Sequence, residues 1–175
     1  MKTLYFTMSP RTEKNRIKLE KELNVKIGIK GEDVIIDGEP VDEYLAEKII
    51  DALGFGFQFK VAILIKKEDF LFEVLNIKDY TKKKDFKRIK ARIIGTRGKT
   101  LKTLSHLTEC YLEIKDNSIG IIGAPEYIHN CQNAVISLIR GSKQANVYAF
   151  LEKHRVKPVF DFALKPVKKK RSKKK

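Results

Sequence analysis

The stretch that decides the fold is Ile93-Ile94-Gly95-Thr96-Arg97-Gly98-Lys99-Thr100-Leu101-Lys102-Thr103-Leu104. Two glycines three residues apart divide an apolar-periodic segment before them from a second one after them. Phe86, Ile89 and Ile93 fall at helical spacing upstream, and Leu101, Leu104 and Leu107 do so downstream. The pattern predicts two helices, Lys83 to Ile94 and Thr100 to Thr108, joined by a very short turn. Glycine permits the positive φ that such a turn needs and leaves the backbone open to close approach. A helix starting behind the turn directs its free N–H groups and positive dipole end outward, where an anion binds. The similar P-loop pattern, GxxxxGK[ST], is excluded because the position that needs its first glycine is Ile93.

Charge gathers on the same stretch. Lys82 to Lys102 holds ten cations, among them Arg92, Arg97, Lys99 and Lys102, against a single acid, Asp85. The apolar residues between them let one face enter a core while the cations stay in water. The whole chain carries a formal charge of +15 over 175 residues, which implies a polyanionic partner. The end, Lys165 to Lys175, reads KPVKKKRSKKK, with eight cations and nothing apolar enough to anchor it. It is expected to be a disordered basic tail making sequence-blind phosphate contacts.

An internal duplication extends outward from the loop at an offset of 85 residues. Ile27 and Ile29 fall on Leu112 and Ile114, Gly38 on Gly123, Pro40 on Pro125, Leu53 on Leu138 and Gly56 on Gly141. Each copy reads as strand, tight turn, strand and helix. Asp116-Asn117 suits the hairpin turn, and both prolines suit a first helical position. Upstream, Asn15 to Leu23 corresponds to Thr100 to Thr108, with Leu19 and Leu23 buried, after a strand over Leu4 to Phe6. The glycine loop does not repeat: its columns in the first copy are Pro10-Arg11-Thr12-Glu13. A linking helix is expected over Phe59 to Ile65. A C-terminal helix is expected over about Lys143 to His154, with Val147, Phe150 and Leu151 inward, and Val156 to Leu164 is expected to extend over the surface.

Other chemistry is poorly supported. Cys110 and Cys131 with His106 and His129 give HxxxC and HxC, which are not zinc spacings, so buried reduced thiols are expected and no metal or cofactor. Glu32-Asp33 and Asp42-Glu43 look like turn and surface carboxylates, and no catalytic constellation accompanies them. The longest apolar candidate, Val61 to Ile65, cannot cross a bilayer, and residues 1–14 lack the apolar block of a signal peptide, so a cytoplasmic location is expected.

The apolar pair, the GxxG string and the helix after it resemble the KH-domain signature, and the element order resembles the type I KH fold. That resemblance implies an α+β chain of two tandem KH-like modules. Residues 1–56 would form a degenerate module, 57–73 a linker, 74–141 an intact KH domain, 142–164 a C-terminal helix and extension, and 165–175 the tail. A KH groove clamps about four unpaired nucleotides. The implied site for single-stranded RNA is Arg92, Ile94, Gly95, Thr96, Arg97, Gly98, Lys99, Leu101, Lys102 and Leu112. A degenerate module ahead of an intact one, with Gly98 to Gly123 and Arg140 to Arg155, is similar to the archaeal, KRR-type and PNO-type (Dim-like) factors of small-subunit ribosome assembly. This implies a non-enzymatic protein bound near the 3′ end of small-subunit ribosomal RNA. Its implied partners are a Nob-type endonuclease and the alpha subunit of translation initiation factor two. The competing reading is a general KH protein acting on messenger RNA or in RNA decay.

Overall fold

The two copies fold into two sheets of the same design. A computed structural model of the chain describes residues 2–4, 10–30, 33–82 and 84–154. In the first unit, β1 (Lys2–Leu4), β2 (Lys26–Lys30) and β3 (Asp33–Asp37) form an antiparallel sheet of order β1-β3-β2, with helices α1 (Pro10–Leu23) and α2 (Pro40–Phe55). Two single-turn helices follow, α3 (Phe59–Ala62) and α4 (Leu64–Lys67). In the second unit, β4 (Leu71–Asn76), β5 (Tyr111–Lys115) and β6 (Ser118–Gly123) form a sheet of order β4-β6-β5. Its helices are α5 (Ile77–Tyr80), α6 (Phe86–Ile94), α7 (Lys99–Thr108), α8 (Pro125–Arg140) and α9 (Gln144–Lys153). The expected surface extension and basic tail lie outside the described residues, as do residues 5–9.

The duplication holds residue for residue over its hairpin and last helix. Lys26–Lys30 and Tyr111–Lys115 differ by 85, as do Pro40–Phe55 and Pro125–Arg140. Asn24 and Glu109, also 85 apart, both take φ 54° ahead of their strands. The first strands obey a different offset. Lys2 pairs with Ile36, and Glu73 pairs with the equivalent Ile121. They are therefore 71 apart, so the first unit is 14 residues shorter between its first strand and the shared part. The missing residues belong to the stretch that builds α5 and α6 in the second unit, and the columns of the glycine turn are present as residues 10–13.

Several local expectations change. Residues 10–13 are not a loop: they are the first turn of α1, and Thr12 is fully buried. Proline is favoured in a first helical turn, so the helix starts at Pro10 and not at Asn15. The basic helix starts at Phe86 because the Asp85 carboxylate caps it, accepting from Arg88 N at 3.0 Å. The linking helix breaks into α3 and α4. In the hairpin turn only Asp116 takes positive φ. Phe150 faces outward, stacked on His154 at 4.3 Å between ring centroids, because Val147 and Leu151, four residues apart, already form the inner stripe.

The core of the second unit joins Leu75, Ile119 and Ile121 of the sheet to Ile93 and Leu104 of the paired helices and to Val135 and Leu138 of α8. Its other sheet face is covered in part by the first unit, with Val74 and Tyr111 left exposed. Phe55 and Phe57, at the end of α2, pack on Phe72 of β4 with centroids 5.9 to 6.1 Å apart. They also lie over Gly120 of β6, where a Cβ would stand 2.7 Å from the Phe55 ring and 2.8 Å from that of Phe57. Lys115 Nζ donates to Gly54 O at 2.7 Å beside them. The middle of the face opposite the helices of the second unit is thus an intramolecular interface.

Candidate nucleic-acid interface

Three of the four residues of the glycine turn have positive φ. Gly95 sits at φ 73°, ψ 174°, Arg97 at φ 54°, ψ 31° and Gly98 at φ 74°, ψ 12°. The Gly95 combination is open only to glycine, and Arg97 accepts a cost of about 1 kcal/mol or more for its left-handed backbone. Gly95 also has no room for a side chain: a Cβ would overlap the Thr100 hydroxyl and stand 2.8 Å from Thr100 N. At Gly98 a Cβ would meet nothing within 4 Å, so that glycine leaves the backbone reachable from outside. Gly95 N donates to Ala91 O at 2.8 Å and Gly98 N to Gly95 O at 3.2 Å, closing one tight turn directly ahead of α7.

The expected site residues divide between two faces. Ile94, 38% exposed, and the half-buried Leu101 form an apolar ledge at the turn. Across from them runs β5, an edge strand whose sheet bonds go to β6. Lys90 Nζ reaches over to Asp116 O at 2.9 Å, so α6 meets the far end of that strand. Leu112 lies in the core, 8% exposed and paired with Ile121, so its side chain supports the floor from beneath; Ile114, on the same face, is only partly covered. Thr96, Arg97, Lys99 and Lys102 face a shallow cleft of about 810 Å³ on the outer side of α7. His106 and Leu107 line it too, and the sequence reading did not single them out for this. Their spacing of four and five residues from Lys102, about one turn of helix, was the available signal.

Arg92 is placed elsewhere. Its guanidinium donates to Gly141 O at 2.9 Å and to Ser142 O, in the connection between α8 and α9. Gln144, at the start of α9, returns the contact: its amide nitrogen donates to Arg92 O at 3.1 Å and to Thr100 Oγ1 at 2.9 Å. No sequence signal marked Gln144, because its partners are 44 and 52 residues away.

Cys110 and Cys131 are buried free thiols. A hydrogen bond from Cys131 holds the Cys110 thiol below its usual pKa, while the same contact and burial push Cys131 well above it. Among the described residues no group of three or more His, Cys, Asp or Glu could hold a metal ion. No helix there is long and apolar enough to cross a membrane.

Residues 71–156 match the family model for the second KH domain of PNO1, a eukaryotic-type (type I) KH domain. A KH domain-containing protein of Methanocaldococcus jannaschii is 31% identical over 146 residues, covering 79% of this chain and 64% of that protein. The RNA-binding protein pno-1 of Caenorhabditis elegans is 31% identical over 117 residues, covering 65% of this chain and 42% of that protein. The chain thus spans less than two thirds of these curated relatives' own length. Among solved structures, Dim2p of Pyrococcus horikoshii superposes with a TM-score of 0.77 at 24% identity, covering 87% of this chain and 99% of that one. The same score and identity relate the chain to a Pyrococcus horikoshii complex of a/eIF2alpha, aDim2p and rRNA, covering 88% and 94%. Both show the α+β fold found here.

Proposed function

We propose that the chain, whose residues 71–156 match the PNO1-type KH-domain model, binds single-stranded RNA as an assembly factor of the small ribosomal subunit. The carrying observation is the Gly95–Gly98 turn: backbone open at Gly98, three positive-φ residues, and a cationic helix starting directly behind it. About four unpaired nucleotides lie between the Ile94–Leu101 ledge and the β5 edge, with phosphates at the turn and bases toward the strand. The fold shared with Dim2p, and with the aDim2p of an a/eIF2alpha-aDim2p-rRNA complex, supports ribosomal RNA as the target. We place the bound site near the 3′ end of small-subunit RNA, with the alpha subunit of initiation factor two and a Nob-type endonuclease as cytoplasmic partners. The first unit, with a single helix where the second has a helix–turn–helix, is read as a degenerate KH module that scaffolds and makes no RNA groove. The protein performs no catalysis in this reading.

Crosslinking to whole-cell RNA, followed by sequencing, should return one dominant site in small-subunit ribosomal RNA. Crosslinks spread over many messenger RNAs would replace this reading with the general KH one. A second expectation concerns the tail. Single-strand affinity falls with salt at a log–log slope of about −0.7 per phosphate engaged. Deleting residues 165–175 should weaken binding to all RNAs alike and flatten that slope. A changed sequence preference would contradict the passive role given to these eight cations.

A further inference from the structure

The last four carbonyls of a helix have no partner within it. At the end of α6 one of them, Ala91 O, is taken by Gly95 N. The next, Arg92 O, is taken by the side-chain amide of Gln144 from α9. A carbonyl only accepts, so the Gln144 nitrogen must face it, and the same nitrogen donates to the Thr100 hydroxyl. Thr100, 4% exposed, is the residue against which Gly95 is pressed. In the other direction the Arg92 guanidinium donates to two carbonyls of the α8–α9 connection. The side chain at each end of this contact therefore holds the backbone at the other. The two helices that flank the glycine turn, α6 and α7, are both tied to one residue of α9.

From this we infer that the Arg92–Gln144–Thr100 contact is a brace by which the C-terminal helix holds the Gly95–Gly98 turn in its RNA-competent shape, so that Arg92 and Gln144 are positioning residues and Arg92 does not contact phosphate. The inference rests on the RNA-binding reading above and assigns a role inside it. The turn needs such support. Arg97 is held in a costly left-handed backbone and the two glycines have many other conformations open to them, and a turn that visits other shapes binds RNA only for the fraction of time it is correct. Apparent affinity falls by that fraction without the loss of any phosphate contact.

The test uses the full chain and a short single-stranded RNA from the crosslinked site, titrated across a range of salt. Gln144→Met keeps the length and packing of the side chain and removes both donors. Arg92→Gln removes the guanidinium charge. Each variant should bind on the order of tenfold more weakly, with a melting temperature lowered by only about 3 °C. The salt slope should stay that of the unaltered protein in both. The double variant should lose little more than either single one, because both act through one contact. A slope shallower by about 0.7 in Arg92→Gln would show a phosphate contact at Arg92 and overturn the proposal. Unchanged affinity in Gln144→Met, or additive losses in the double variant, would overturn it too. Failure of the unaltered protein to bind RNA would instead remove the reading beneath it.

Discussion

Replacing Thr96 and Arg97 together by aspartate should nearly abolish RNA binding and leave the fold intact. Both side chains are exposed on a turn whose geometry is set by its glycines and by Thr100, none of which is touched. The change removes one cation from the phosphate path and adds two anions to it. A charge-assisted hydrogen bond is worth about 1.5–3 kcal/mol before repulsion is counted, so losses of a hundredfold or more are expected. Fluorescence anisotropy with labelled RNA measures the affinity, and thermal unfolding should show a near-unchanged transition. The matching control in the first unit cannot use Arg11 and Thr12, since Thr12 is buried in α1. Lys14→Asp with Lys18→Asp serves instead: both lie exposed on the same helix. If the first unit is a scaffold, this pair should change affinity little although it changes the net charge by four units against three. Comparable losses in both variants would show that the first unit carries its own RNA surface.

Gly120→Val should be the most damaging single substitution at the junction of the two units. Its Cβ would stand 2.7 Å from the Phe55 ring and 2.8 Å from that of Phe57, and the branched methyls would reach further. The rings cannot retreat easily, because they pack on each other and on Phe72. Overpacking of this kind costs about 1–3 kcal/mol, and separating three ring contacts adds about 0.5–1.5 kcal/mol for each. Unfolding in urea should show the free energy of unfolding lowered by that amount, or a transition split into two as the units lose each other's support. Gly120→Ala combined with Phe55→Ala should lose less stability than the sum of the two single losses, since truncating the ring makes room for the added methyl. Strictly additive losses would mean that the Phe55 ring does not press on position 120.

Much of the fold and part of the site were legible in the chain. The 85-residue duplication was visible because strand alternation, a turn before a proline and a glycine after a helix are each signalled within a few residues, and the structure keeps them in the same register. The absent segment in the first copy was legible as missing glycines, although not as a continuous helix, because Pro10 suits a helical start as well as a loop. The turn Gly95–Gly98 was legible for the same local reason: only glycine fits the backbone at its first position. The cations of α7 followed from composition and spacing.

What the sequence by itself determined are features whose cause lies within a turn or two of chain: periodicity, caps, positive φ and charge. Only the tertiary structure decided that Arg92 holds the α8–α9 connection, that Gln144 answers it, that Leu112 lies beneath the floor, and that Gly120 makes room for two rings of the other unit. A guanidinium donates equally well to a phosphate or to a carbonyl, and a glycine in a strand looks the same whether water or an aromatic ring lies above it. Which partner is met depends on segments 44 to 65 residues distant packing face to face, and that information resides in the summed fit of both cores, not in the local pattern at either residue.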